Sequence, residues 1–257
     1  MARIEDRVTD ALSLDPETVA AQCAEAKPVR DPWLVRRGFA WGASEVPALL
    51  LAYDPRPDEE RAALGHHRES AEHASRRKIS RGYPRIVERK AFAKDLAASL
   101  SMSAGQVREP LLFDAWVSQC GPELFAFRRA SDVPPEWMPL VDRECPHLAA
   151  TPDAWCRSTL DDGLVMAELK CSFAEDEPAA RWYHDAQIQA QIAVCSASSG
   201  VLVLGPGWAD PKRELLAPPR YREVTRDEEA IARIRRVCAR AWQDVVTIRS
   251  RIDMRQI

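Results

Sequence analysis

The sequence predicts an α/β fold in which a central mixed β-sheet is flanked by helices within one domain. Two apolar segments support the sheet: residues 201–204 are entirely apolar, and residues 164–171 are apolar apart from two charged positions. Apolar residues recur at helical spacing over residues 104–118, 183–196 and 225–249, which predicts helices there. Strands that alternate with helices favour a layered α/β arrangement. The length of 257 residues allows one large domain, and we expect a single domain over the whole chain.

The first third of the chain is predicted to consist mainly of helices. Predicted helices cover residues 15–26, 45–52 and 59–80. Asp15 before Pro16 is typical of a helix start, because proline is favoured in the first helical turn. Ser44 is a plausible N-cap for the second helix, since its hydroxyl can accept a bond from a backbone N–H.

A hairpin is predicted in the middle of the chain. Strands are expected over residues 123–128 and 164–171, and a weaker strand pattern covers residues 153–160. Asp161-Asp162-Gly163 is a strong turn signal between the last two. The turn should therefore fold Asp153 back beside the second half of the strand over 164–171.

The C-terminal part is predicted to hold a helix, a short strand and a long helix. Gly205-Pro206-Gly207 is expected to end the strand over 201–204. Thr225-Arg226-Asp227-Glu228 has the pattern of a capping box and would open the long helix. The inward positions of that helix are predicted to be Ile231, Ile234, Trp242 and Val245.

Composition limits the class of protein. The hydrophobic content of 46% is ordinary for a globular domain, and the absence of an apolar run of about 18 residues predicts no transmembrane helix. The N-terminus lacks a signal-peptide core, so we expect an intracellular, cytoplasmic protein. Seven scattered cysteines, none in a Cys-x-x-Cys pair, indicate reduced thiols rather than a zinc or iron–sulfur site.

Charge is distributed unevenly along the chain. The net charge is -3, but residues 66–94 carry nine Lys/Arg against three Asp/Glu, a local balance of +6 that leaves -9 elsewhere. A basic segment on an acidic body suggests a localised contact with a polyanion. A solvated helix face explains the segment equally well when it is taken alone.

The residues that carry chemistry are Asp153, Glu168 and Lys170. Glu168 and Lys170 are two apart on an otherwise apolar strand, so their side chains point to the same face. Burying such charges is costly unless they pair or hold a metal. Two carboxylates can bind a hard cation such as magnesium, and a lysine beside them can orient or deprotonate a water. This combination is suited to metal-assisted hydrolysis of a phosphodiester. The alternative is an ordinary salt bridge on an edge strand, which explains most chance occurrences of this spacing.

Four further segments accompany this set in a fixed order. They are Trp33-Leu34-Val35-Arg36-Arg37-Gly38, Gly42-Ala43-Ser44-Glu45-Val46, Ala104-Gly105-Gln106-Val107-Arg108-Glu109-Pro110 and Ala186-Gln187-Ile188-Gln189. Together with Asp153 and Glu168-Leu169-Lys170, they resemble the phage lambda-type exonucleases, also called the YqaJ-like viral recombinase family. That family belongs to the superfamily of nucleases with an Asp…Glu-x-Lys core. The resemblance implies a restriction-endonuclease-like nuclease core with motifs over about 33–205 and a C-terminal helix over about 225–250.

The resemblance also implies a role for each matching residue. Asp153, Glu168 and the backbone carbonyl of Leu169 would bind the metal, and Glu109 would reach it directly or through water. Lys170 would lie beside the attacking water, and Gln187 would support both. Arg37 and Ser44 would hold a 5′-terminal phosphate, since a guanidinium forks onto phosphate oxygens.

The implied activity is that of a Mg2+-dependent exonuclease, with Mn2+ able to substitute. It would degrade the 5′-ended strand of linear double-stranded DNA and leave 3′ overhangs for recombination. The implied partners are DNA with a 5′-phosphorylated end, a single-strand annealing protein and two further copies in a toroidal homotrimer, without a membrane. A phage or prophage origin in a bacterial host would follow.

Several alternatives stay open at the level of the sequence. The chain could be a sequence-specific endonuclease of the same superfamily, or a catalytically inactive DNA-binding or assembly protein on this fold. Gln191 rivals Gln187, and Arg36 rivals Arg37. Glu45 could simply cap the short helix after Ser44. Two departures also stand out, since Ala154 replaces the glycine that often follows the aspartate in the family, and an acidic run occupies residues 175–177.

Overall fold

Two β-sheets with helices packed against them make up the described part of the chain. The structure, a computed structural model, describes residues 40–54, 56, 100–133, 138–172, 178–206 and 218–253. The predicted helices over 15–26 and 59–80, the basic segment 66–94, the acidic run 175–177 and Arg37 lie outside the described residues. The expectation of a single domain over residues 1–257 stays a prediction.

The described elements are a mixture of strands and helices, as predicted. In chain order they are β1 (Trp41–Gly42), a 3-10 turn (Ala43–Glu45), α1 (Val46–Tyr53), α2 (Leu100–Gln119), β2 (Leu124–Arg129), a 3-10 turn (Ala130–Asp132), β3 (Leu140–Val141), β4 (Leu148–Ala150), β5 (Ala154–Ser158), β6 (Leu164–Ser172), α3 (Pro178–Cys195), β7 (Ser199–Pro206), β8 (Arg220–Thr225) and α4 (Glu228–Asp253). No helix in these ranges is long and apolar enough to cross a membrane.

The larger sheet is mixed and has the strand order β2-β5-β6-β7-β8. Strands β6 and β7 run parallel, joined through α3, and the other neighbours are antiparallel. A smaller sheet has the order β1-β4-β3. The predicted hairpin is confirmed: Cys156 pairs with Val165 across β5 and β6, and Asp162 adopts a φ of 52° in the turn. That left-handed conformation suits Asp better than most other residues.

Helices cover both faces of the larger sheet. Leu112 and Trp116 of α2 pack on one face against Ala167 and Leu169 of β6. On the other face, α3 and α4 pack in a second cluster that contains Met166 of β6. Side chains alternate along a strand, so Glu168 and Lys170 share the face of Met166 and point toward α3.

Two glycines in β7 let the helices approach the sheet closely. A Cβ on Gly200 would lie 2.3 Å from Cγ2 of Ile188 in α3, and a Cβ on Gly205 would lie 2.3 Å from Cδ2 of Leu112 in α2. Real Cβ atoms are essentially never found at such separations, so a larger residue would force the facing Ile188 or Leu112 side chain to shift. Gly200 thereby helps to set the distance between α3 and β6, on which the site described below depends.

Several predicted boundaries are wrong for identifiable reasons. Ser44 lies inside the 3-10 turn and is not the N-cap of α1, because that turn continues directly into the helix and Glu45 occupies the N-cap position. Thr225 ends β8, and the side chain of Asp227 instead caps α4 by accepting the N–H of Ala230 at 3.0 Å. Strand β7 continues through Pro206, two residues past the predicted end.

Other sequence expectations are confirmed by burial. Ile231, Ile234, Trp242 and Val245 of α4 are all buried, as their spacing predicted. Trp41 and Trp155 are also buried in the core. Glu45 bonds the backbone N–H of Gly42 at 2.7 Å, as expected of a residue that stabilises the start of a helix.

Candidate active site

The hairpin brings Asp153 beside Glu168 and Lys170, as the turn signal predicted. Asp153 immediately precedes β5, and its Oδ2 accepts the backbone N–H of Leu169 at 2.8 Å. That bond ties the carboxylate to β6 between the two charged residues. The pKa of Asp153 is raised well above its ordinary value by loss of solvation and by the charge of Glu168.

Glu168 is a buried carboxylate with three donors. Only 1% of the residue is exposed. Lys170 Nζ forms an ion pair with Oε1, and Gln187 Nε2 donates to the same oxygen at 2.5 Å. Gln191 Nε2 donates to the other oxygen, Oε2, at 2.5 Å. Such contacts are what a buried charge requires if it is to stay ionised.

The glutamines come from one face of α3. Gln187 and Gln191 are four residues apart, which places them one turn apart on the same side of a helix. Gln189, between them, turns away: its amide bonds the carbonyl of Thr225 at 2.6 Å and the N–H of Asp227 at 3.1 Å. Gln189 therefore joins α3 to the start of α4 and takes no part in the carboxylate cluster.

Glu109 joins the cluster from α2, on the opposite side of the sheet. Burial raises its pKa, the ammonium of Lys170 lowers it, and the charge of Glu168 raises it further. Its charge also raises the pKa of Asp153. The structure thus brings Glu109, Asp153, Glu168 and Lys170 within electrostatic reach of one another, although they are separated by up to 61 residues in the sequence.

The cluster carries more negative than positive charge. Three carboxylates face one ammonium, since Lys170 interacts with Glu168, Asp153 and Glu109. Burial alone lowers the pKa of Lys170, but attraction to these carboxylates outweighs that effect and the pKa is raised. Lys170 is therefore a permanent ammonium near neutral pH, with about a third of its side chain (34%) exposed.

The donor chemistry of the cluster fits a hard divalent cation. Carboxylate oxygens are the ligands such ions prefer, and an excess of buried negative charge is relieved by binding one. Within the described residues, no three His, Cys, Asp or Glu side chains already form a metal-binding group. The predicted ligands lie near one another without forming such a group, and Glu168 is bonded to Lys170 and to the two glutamines.

One neighbour of the cluster, His184, was not assigned a role from the sequence. His184 lies one turn before Gln187 on α3, and burial together with the charge of Lys170 lowers its pKa to about 4. Its Nδ1 is buried and has no hydrogen-bond partner among the described residues. Its position three residues before Gln187 was the only sequence signal that could have placed it near the site, but a histidine at such a spacing is common without any function.

Ser44 lies on the same side of the molecule as α3. The hydroxyl of Tyr183 donates to the backbone carbonyl of Ser44 at 2.8 Å. Tyr183 is electrostatically coupled to Lys170, Glu45 and Glu168, and burial is the main cause of its raised pKa. The turn that contains Ser44 is thereby fixed to the helix that supplies the glutamines.

Comparison with known proteins adds information on the fold. No protein-family model matches the sequence, and no curated protein matches it. Among solved structures, an alkaline exonuclease from Laribacter hongkongensis gives a TM-score of 0.58 at 13% identity, over 87% of this chain and 96% of that chain. The same enzyme in complex with dAMP gives 0.56 at 13% identity, over the same shares of both chains.

A phage-related exonuclease from Haemophilus somnus 129PT gives a TM-score of 0.54 at 13% identity, over 83% of this chain and 96% of that chain. At this level of identity the likeness concerns the fold. The predicted fold class is confirmed, and the resemblance to phage lambda-type exonucleases is supported at the level of architecture: this chain folds as these exonucleases do.

Proposed function

We propose that this protein is a metal-dependent DNA exonuclease that degrades the 5′-ended strand of linear duplex DNA and leaves 3′ overhangs. The observation that carries the proposal is the convergence of Asp153, Glu168 and Lys170 at the β5–β6 hairpin. Glu109 joins them from α2 and Gln187 from α3. An ordinary edge-strand salt bridge would not need two further carboxylates beside it.

The carboxylates of Asp153, Glu168 and Glu109, with the carbonyl of Leu169, would hold Mg2+ or Mn2+. A bound divalent ion supplies a nucleophilic water at neutral pH and stabilises charge on the phosphate oxygens. Asp153 and Glu168 contribute the anionic oxygens, and Gln187 keeps the Glu168 side chain in place through its bond to Oε1.

Lys170 acts as a hydrogen-bond donor and a positive charge. The surrounding carboxylates raise its pKa, which suits a role in orienting the attacking water and offsetting charge on the phosphate. The sequence left open whether the lysine orients or deprotonates the water, and both roles stay part of the proposal. The exposed third of the side chain leaves it able to reach a bound substrate.

Recognition of the 5′ end is assigned to Arg37 and Ser44. The bond from Tyr183 to the carbonyl of Ser44 supports this assignment, because it joins the Ser44 turn to the helix of Gln187. Arg37 is seven residues before Ser44 and would add the guanidinium that binds phosphate in a bidentate manner.

The remaining parts of the proposal concern assembly and context. The protein would act as a homotrimer that encloses DNA, with a single-strand annealing protein as its partner, in the cytoplasm of a bacterial host. A phage or prophage origin fits these roles. Enclosure would be compatible with a net charge of -3 and one local basic segment, because retention by topology reduces the need for many phosphate contacts.

The test uses linear duplex DNA labelled at one end, with 5′-phosphate or 5′-hydroxyl, beside a closed circle. We expect Mg2+-dependent release of nucleotides from the 5′-ended strand, with no cutting of the circle. Cutting of the circle would indicate an endonuclease, and binding without cleavage would indicate an inactive DNA-binding protein.

A second experiment tests the 5′-phosphate site. Arg37→Ala should reduce activity on phosphorylated ends by about 2–4 kcal/mol in transition-state stabilisation, and should matter little on hydroxyl ends. The difference between the two losses isolates the contact with the phosphate. Equal losses on both substrates would transfer the role to Arg36 or to general DNA binding.

A further inference from the structure

Both oxygens of the Glu168 carboxylate are held from α3, each by a different glutamine. Gln187 Nε2 donates to Oε1, and Gln191 Nε2 donates to Oε2. One donor alone would leave the carboxylate free to rotate about its terminal bond. Two donors one helical turn apart fix its plane.

The two oxygens differ in the capacity that remains to them. An ionised carboxylate offers about four lone-pair sites, two on each oxygen. Oε1 accepts from both Lys170 and Gln187, which uses both of its sites. Oε2 accepts only from Gln191 among the described residues. Oε2 is therefore the oxygen with a lone pair left for a cation, and Gln191 is the residue that holds it.

Gln191 is poorly explained by stability. It is 1% exposed, and its Oε1 has no hydrogen-bond partner in the part of the chain that the structure describes. A buried polar atom without a partner costs about 1–3 kcal/mol. Its helix neighbours Ile188 and Ile192 are fully buried, so the amide lies in largely apolar surroundings apart from Glu168. The amide gains only its bond to Glu168.

We infer that Gln191 is a positioning residue, beside Gln187, that orients Oε2 of Glu168 toward the divalent cation. This inference rests on the proposed role of Glu168 as a metal ligand. Residues that orient a metal ligand through a hydrogen bond typically contribute roughly 10-fold to 100-fold in metal affinity.

The test compares Gln191→Leu with Gln189→Leu in the full-length protein. Gln189 is the matched control: it is the same residue type on the same helix, also buried, but its amide bonds Thr225 and Asp227. Binding of Mn2+ without DNA is measured by titration calorimetry, and cleavage is measured against Mg2+ concentration. Thermal unfolding without metal reports on the fold.

Gln191→Leu should bind Mn2+ about 10-fold to 100-fold more weakly and raise the half-saturating Mg2+ concentration to match. Its kcat at saturating Mg2+ should stay within roughly a factor of three. Its unfolding temperature without metal should fall, as in the Gln189 control, because the buried Oε2 of Glu168 loses its donor. Gln189→Leu should lower the unfolding temperature and leave metal affinity unchanged. If Gln191→Leu does not fold, Gln191→Met, which keeps the length of the side chain, replaces it.

Unchanged metal affinity in a folded Gln191 variant would overturn the inference. So would a loss of kcat at saturating Mg2+ with normal metal affinity, because Gln191 would then act on the chemical step. Failure of the proposed function would give a result distinct from failure of this inference, because the wild-type protein itself would then neither bind Mn2+ nor cleave DNA.

Discussion

Two buried carboxylates in this protein, Asp142 and Glu168, differ in what surrounds them. They are similarly inaccessible, at 2% and 1% exposure. Asp142 follows β3 and accepts the backbone N–H groups of Glu144 and Cys145 at 3.0 and 2.7 Å. Arg235 of α4 then binds both of its oxygens, at 3.1 and 2.9 Å. Every charge at this site has a partner within reach.

Glu168 is equally well bonded, yet its surroundings are not neutral. Its donors are Lys170 and two uncharged glutamines, and two more carboxylates, Asp153 and Glu109, lie within electrostatic reach. The raised pKa values of Asp153 and Glu109, due first to burial, are made larger by the charge of Glu168. Burial of a carboxylate therefore does not identify an active site, whereas a local excess of buried negative charge indicates one.

The largest expected effect is a loss of DNA cleavage when a carboxylate of the Glu168 cluster is removed, in contrast to removal of Asp142. Glu168→Ala and Asp153→Ala should reduce metal-dependent cleavage to background, because each removes an anionic ligand. Asp142→Ala should keep normal turnover per folded molecule, since Asp142 binds Arg235 and lies outside the cluster. Turnover is measured on linear duplex DNA after the folded fraction has been determined by circular dichroism. Normal cleavage by a folded Glu168→Ala or Asp153→Ala protein would remove the proposed metal site.

The next expected effect distinguishes the two positively charged side chains, Lys170 beside Glu168 and Arg235 beside Asp142. Lys170→Ala should lower kcat by about 10²–10⁴-fold and keep metal and DNA binding, because it removes a donor at the attacking water and no ligand. Arg235→Ala should cost about 3–5 kcal/mol of unfolding free energy, since Asp142 is left as an unpaired buried charge. Single-turnover kinetics and urea unfolding measure the two quantities. A collapse of metal affinity in Lys170→Ala would mean that the lysine is structural.

A smaller effect concerns stability without metal. Asp153→Asn should raise the unfolding temperature of the metal-free protein at pH 7 by about 2–4 °C, the shift that 1 kcal/mol produces in a protein of this size. The pKa of Asp153 is raised in the folded state, so wild-type stability falls as pH rises from the ordinary value of 3.8 through the raised value. Asparagine does not ionise and avoids that loss.

The pH series supplies the control for Asp153→Asn. The advantage of the variant over the wild type should shrink as pH falls toward 3.8, because the folded-state aspartate is then protonated and the unfolded-state aspartate is becoming so. Differential scanning calorimetry in EDTA from pH 4 to pH 7 measures it. A constant difference over this range would show that the gain comes from packing or hydrogen bonding, and that charge excess at the site is small.

Local patterns explain why much of the fold was predictable. The apolar run of β6, the turn at 161–163 and the helical spacing of α2, α3 and α4 are each set by residues near in sequence. The missed elements depend on distant partners. Strand β1 is two residues long and pairs with β4 over 100 residues later, and β8 exists because it adds to the edge of β7. Thr225 matched a capping box, but it pairs with Ser199 and is the last residue of β8.

The sequence by itself determined the identity and the order of the proposed catalytic residues: Asp153, Glu168 and Lys170 through a hairpin and a two-residue spacing, and Glu109 and Gln187 through a resemblance. Only the tertiary structure decided which groups share one electrostatic environment. It placed Gln191 on Glu168 beside Gln187, and it turned Gln189 away. The physical reason is that hydrogen bonds and charge interactions depend on distances of a few ångströms across β6 and α3. Close packing of α3 on the sheet, as at Gly200, contributes to those distances, and sequence spacing does not encode it.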